Sequence, residues 1–148
     1  MLGDRAGKRL EKYFTDYVVF DLETTGVDTL NDNITEIAAV KVVNRKIVDE
    51  FSSFVNPLKE IPQRVVELTG ISDRDVALAP IIDDLLKDFN DFIGDSILVG
   101  HSIHRFDLKL LYREYYRCYE KALTNNYVDT LHYSKHLLKD MYRFPMAW

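Results

Sequence analysis

Tyr17-Val18-Val19-Phe20-Asp21-Leu22-Glu23-Thr24-Thr25-Gly26 is the stretch on which the fold of this chain turns. Valine and aromatic residues predict a strand ending at Asp21, and small polar residues with a glycine close it. Along a strand, residues i and i+2 face the same way, so Asp21 and Glu23 project together. Adjacent like charges repel, and such a pair is explained by a cation, by a function, or by full solvation in a polar turn. A hard divalent cation with oxygen ligands is the natural partner.

Outward from this strand, Val27 to Asn33 reads as a polar loop. Ile34–Val43 and Ile47–Val55 are β-branched, apolar runs joined at Asn44-Arg45-Lys46, a short hairpin turn. Glu36 sits inside the first of these runs, either near a metal site or as a solvated, edge-facing carboxylate. Val65 to Ile71 predicts a short helix closed by Gly70, with Ser72 and Asp73 able to cap the next segment. From Pro80 to Ile93, Ile81, Ile82, Leu85, Leu86, Phe89, Phe92 and Ile93 form one apolar stripe of a helix, read as core. Ser96–Gly100 is a short buried strand, Arg105–Cys118 a helix, Tyr127–Asp129 a strand, and Thr130–Leu138 the start of another helix. Three strands succeeded by helix–strand–helix–strand–helix predict an α/β fold. An antiparallel meander is extended by parallel strands, giving a mixed sheet with packed helices.

Asp107 falls at the start of a helix just past a strand end, where open α/β sheets place ligands. It is equally read as a first-turn acid that supports the helix dipole. Arg105, Lys109, Arg113 and Arg117, with Lys121 beyond, make a basic stripe. Its reading is a solvated face, with phosphate contact as the alternative. His101 and His104, with no cysteine or third histidine nearby, are not a zinc signature.

Asp21-Leu22-Glu23-Thr24-Thr25-Gly26 closely resembles the first motif of the DEDD family of metal-dependent 3′–5′ exonucleases, of the proofreading epsilon-subunit type. Leu68-Thr69-Gly70-Ile71 also resembles the family. His101 with Phe106-Asp107 resembles its second motif, with Ser102 in place of the usual Asn and one residue more between the pairs. Tyr127-Val128-Asp129-Thr130-Leu131 resembles the strand and helix start before its third motif. The resemblance implies a ribonuclease-H-like fold, with Asp21, Glu23 and Asp107 as catalytic acids that hold two Mg²⁺ or Mn²⁺ ions. Thr24, Thr25, the backbone near them and His101 would bind the terminal nucleotide of a nucleic acid 3′ end, DNA rather than RNA. A polymerase or other replication protein is the implied partner.

The third motif, a His with an Asp five residues on, has no match: Leu137 stands at that spacing from His132, Met141 at that spacing from His136, and Asp140 is four after His136. The chain is therefore expected to lack a general base, a fourth ligand and the closing helix, and to be a weak or inactive nuclease by itself. A non-catalytic nucleic-acid or protein interaction module on the same fold is the alternative. Phe144, Met146 and Trp148 are expected to fold back over the open sheet face, or a second copy to cover it as a homodimer.

With 148 residues, 47% hydrophobic and 29% charged, the chain fits one domain, 1–148, with an arm or weak helix over 1–16 and an atypical tail over 139–148. A net charge of −5 argues against broad non-specific nucleic-acid binding, though acidic metal ligands themselves add negative charge. A single cysteine, Cys118, points to a reducing cytoplasm, and no apolar stretch is long enough to span a membrane.

Overall fold

The computed structural model describes residues 6–131. Strand β1 (Tyr17–Thr24) alternates as its sequence predicts. Val18, Phe20, Leu22 and Thr24 are buried on one face, while Val19 and Asp21 are exposed on the other. β2 (Ile34–Val43) pairs antiparallel with β1, and β3 (Lys46–Phe54) antiparallel with β2. The turn between them places Asn44 and Arg45 at φ 52° and 65°, the left-handed pair whose twist matches a tight hairpin. Lys46 belongs to β3 rather than to the turn.

Helices α1 (Gln63–Thr69), α2 (Asp73–Val76) and α3 (Ile82–Ile93) come next, then β4 (Leu98–Gly100), α4 (Asp107–Tyr119) and β5 (Tyr127–Asp129). The sheet order is β3-β2-β1-β4-β5, with β4 parallel to β1 and β5 parallel to β4. This is the mixed sheet that the strand order implies. Its core joins Val18, Phe20 and Ile37 of the sheet to Leu86 and Phe89 of α3 and to Leu108 and Leu111 of α4. Phe89 meets Phe20 and Phe51 edge-to-face, with ring centroids 6.2 and 5.7 Å apart. The α3 stripe is thus core, with Ile82 and Phe92 at its margin.

Helix α1 ends at Gly70, whose φ of 77° lets its N–H reach the Val66 carbonyl at 2.8 Å. The space around Gly70 is open, so the cost of Gly70→Ala is one of backbone geometry alone. A loss of about 1 kcal/mol is expected, read as a lower urea midpoint with an unchanged m-value. Ser72 and Asp75 form a reciprocal capping box at α2.

Three expectations change. β1 does not stop at Asp21 but runs on to Thr24, because β2 continues to pair with it, Asp21 opposite Ala38 and Glu23 opposite Glu36. α4 begins at Asp107, not Arg105, since residues 101–106 form a turn. The N-terminal segment is not a helix over the described residues. Arg9 bridges Tyr127 in parallel, Leu10 N–H donates to the Tyr127 carbonyl at 2.7 Å, and Tyr127 N–H donates to the Lys8 carbonyl at 3.0 Å. The free edge of β5 offers unpaired backbone groups, and the arm satisfies them. Thr130 and Leu131 begin the expected helix; its continuation, His132, His136, Asp140 and the 139–148 tail lie outside the described residues. Among those residues no helix is long and apolar enough to cross a membrane.

Candidate functional site

β4 is only three residues long, and β1 outruns it. Val18 N–H donates to the Ile97 carbonyl at 2.9 Å, on the edge that β4 covers. Alternation puts the Leu22 N–H on that same edge, beyond the last paired residues. Asp107 takes the place of the missing strand, accepting the Leu22 N–H at its Oδ2 at 3.3 Å. The first residue of α4 is thereby tied to β1 between the two acids Asp21 and Glu23. Gly100 permits the approach, because a Cβ there would lie 2.9 Å from the Phe20 carbonyl and 2.3 Å from the Ile103 side chain.

Asp107 is 6% exposed. Burial, and after it the charges of Asp21 and Glu23, pushes its carboxyl up to about 7, against the opposing pull of the Leu22 N–H. Asp21 is raised by burial, with the Leu22 backbone N–H pulling down. Glu23 is raised by burial first, then by Asp21 and by Glu36. Asp21 thus makes Glu23 harder to ionise, and Asp21 and Glu23 together do the same to Asp107. Glu36 joins them from across the β1–β2 ladder, directly opposite Glu23. Its position was readable only as "inside a strand"; the register that places it here depends on a bulge between Glu23 and Thr24.

Of the predicted nucleotide-binding residues, Thr24 and Thr25 follow directly on Glu23. The Thr24 hydroxyl donates to the Gly26 carbonyl at 2.6 Å, and the Thr25 hydroxyl donates to Asp32 at 2.7 Å while accepting the Asn33 N–H at 3.1 Å. Both side chains are buried, so these hydroxyls shape the loop after β1. His101 is exposed on the turn before α4, its Nδ1 3.0 Å from the Thr130 hydroxyl. The His104 ring instead lies against Tyr127. Two members of the basic stripe are engaged in ion pairs, Arg113 half-buried and Arg117 exposed. Arg113 binds Glu114, the Thr29 carbonyl and Asn33, and Arg117 pairs with Asp83 and Glu114. These clasp α4 to the β1–β2 loop and to α3.

The acids supply only carboxylate oxygens, the chemistry of a hard divalent cation. Their mutual repulsion is relieved by positive charge, so the donor set fits such an ion. Among the described residues no three His, Cys, Asp or Glu side chains are gathered tightly enough to enclose an ion.

The RNase_T exonuclease family model matches residues 18–148. The PolC-type DNA polymerase III of Oceanobacillus iheyensis is 45% identical over 130 residues, covering 87% of this chain and 9% of that protein. That of Bacillus subtilis is 42% identical over 122 residues, covering 82% and 8%. The chain thus spans about a tenth of the length of the curated relatives it matches. Among solved structures, Exonuclease I in its apo form superposes with a TM-score of 0.76 at 14% identity, over 92% of this chain and 33% of that one. At that identity the likeness is one of fold.

Proposed function

The chain belongs to the exonuclease family, and from that membership we propose that it is a metal-dependent 3′–5′ exonuclease domain. It would release nucleoside monophosphates from a DNA end, in the cytoplasm and in a replication setting. The observation that carries this reading is the meeting of Asp107 with Asp21 and Glu23 at the end of β1, each raised by burial or by its neighbours' charge. DNA is favoured over RNA because the relatives named above, 45% and 42% identical, are DNA polymerases.

Asp21, Glu23 and Asp107 would hold Mg²⁺ or Mn²⁺. A bound divalent ion supplies Lewis-acid stabilisation of the phosphoryl oxygens and an acidified water. The chain's own part is to orient and to hold charge. Asp107, buried and tied to the Leu22 N–H, fixes one wall of the site. Asp21 and Glu23 form the other, carried on a strand that is hydrogen-bonded on both sides. The loop after β1, braced by the Thr24 and Thr25 hydroxyls, offers its backbone to the terminal nucleotide. His101, exposed on the adjoining turn, would meet a phosphate.

Calorimetric titration of Mn²⁺ tests this reading, together with digestion of a 3′-labelled DNA strand. Binding that weakens at least tenfold in Asp21→Ala, with any digestion by the unaltered chain lost in the same variant, is the expected result. Binding without digestion would favour the interaction module, and no binding by the unaltered chain would overturn the metal site.

A further inference from the structure

Asp129 is 1% exposed at the end of β5, and its carboxylate accepts backbone N–H groups from a distant turn and from the helix start that follows it. Oδ1 accepts the Ser102 N–H at 2.9 Å and the Leu131 N–H at 2.9 Å, and Oδ2 accepts the His104 N–H at 2.9 Å. We propose that Asp129 is a positioning residue, whose carboxylate holds the 101–106 turn in the one shape that delivers Asp107 to the end of β1. This rests on the reading of Asp107 as a site acid.

β4 must hand over to α4 within the six residues 101–106, which belong to neither helix nor strand. Ser102 adopts φ 59°, a left-handed conformation that a non-glycine residue holds only when its surroundings enforce it. The Ser102 N–H bond to Asp129 is that enforcement. In the next position, Ile103 is completely buried, and its carbonyl accepts the Leu108 N–H at 2.8 Å. The 101–106 segment thereby fixes the start of α4, and with it Asp107. Thr130 adds a second tie from the same strand end. Its hydroxyl donates to the Gly100 carbonyl at 3.3 Å and contacts His101 Nδ1 at 3.0 Å.

Only a carboxylate fits this role. Three N–H donors converge on two oxygens, and an ionised Asp accepts at both without offering a donor. Asparagine at 129 would turn an NH₂ toward at least one of those N–H groups. It keeps the side-chain volume, so the fold is expected to survive.

The experiment compares Asp129→Asn with the unaltered chain by amide hydrogen exchange without metal, and then by Mn²⁺ titration. Exchange at Ser102 and His104 is expected to quicken at least tenfold. The Leu22 amide, whose acceptor is Asp107, is expected to quicken with them, while amides of α3 stay as they were. Mn²⁺ affinity should fall roughly tenfold, as for other groups that orient a metal ligand. A Leu22 amide left unchanged while Ser102 quickens would overturn the proposal, since the turn would then move without Asp107. Equal Mn²⁺ affinity in the two proteins would overturn it too. Should the unaltered chain bind no Mn²⁺, the metal reading fails, and the Leu22 amide alone decides whether Asp129 positions Asp107.

Discussion

Asp107→Asn is expected to abolish Mn²⁺ binding and, in the same molecule, to make the metal-free chain more stable above neutral pH. The carboxyl of Asp107 titrates at about 7 in the folded chain, against 3.8 as its ordinary value, because burial and then the Asp21 and Glu23 charges oppose ionisation. A carboxyl raised on folding binds its proton more tightly in the native state. Its favourable contribution is therefore complete below about pH 4 and is lost as pH rises through about 7. Above that, the native chain carries a buried charge among like charges, at a cost on the order of 4 kcal/mol. Asparagine keeps the shape and an oxygen for the Leu22 N–H, but removes the charge. Urea unfolding in chelator should show the variant about 2–4 kcal/mol more stable at pH 8.5, with the gap closing toward pH 4. With saturating Mn²⁺ the order should reverse, since only the carboxylate gains from the ion. A variant less stable than its parent at pH 8.5 would show that Asp107 is a structural acid rather than a strained ligand.

Acid is expected to weaken Mn²⁺ binding steeply. An ion and a proton compete for Asp107, and below about pH 7 the proton already occupies it in the metal-free chain. Between pH 7.5 and 5.5 the apparent affinity should fall by about 25-fold from Asp107 alone. Asp21 and Glu23, both raised, add to this at the acid end. Each ion bound at pH 5.5 should release close to one proton, and at pH 8.5 almost none. Calorimetry in two buffers of different ionisation heat counts those protons. An affinity that stays flat over this range would mean that Asp107 does not touch the ion.

The sheet was legible because its signals are local. The alternation of β1 is written in Val18, Phe20 and Leu22, and the β-branched runs before and after Asn44-Arg45 give β2 and β3 almost to the residue. The apolar stripe of α3 likewise needs only its own sequence. Asp21 and Glu23 share a face for the same reason, a period of two along one strand. The ends of elements were less legible. β1 continues past Asp21 because β2 pairs with it there, and α4 starts late because Asp129, far along the chain, ties down the turn before it. Neither partner can be read from the neighbourhood of the residue concerned.

Local patterns along the chain suffice for the strand that carries two acids, the mixed α/β layout and the helix that begins beside a third acid. These arise from periodicities and turn preferences that span a few residues. It took the folded chain to show that Asp107 caps the Leu22 amide, that Glu36 faces Glu23, and that Arg113 and Arg117 clasp α4 to the β1–β2 loop and to α3. The fold also gave Asp129, which caps the helix start by accepting the Leu131 N–H, a second role as the anchor of a distant turn. The physical reason is that a buried polar group must find a partner wherever the fold brings one, and register, strand length and sheet order fix which partner arrives.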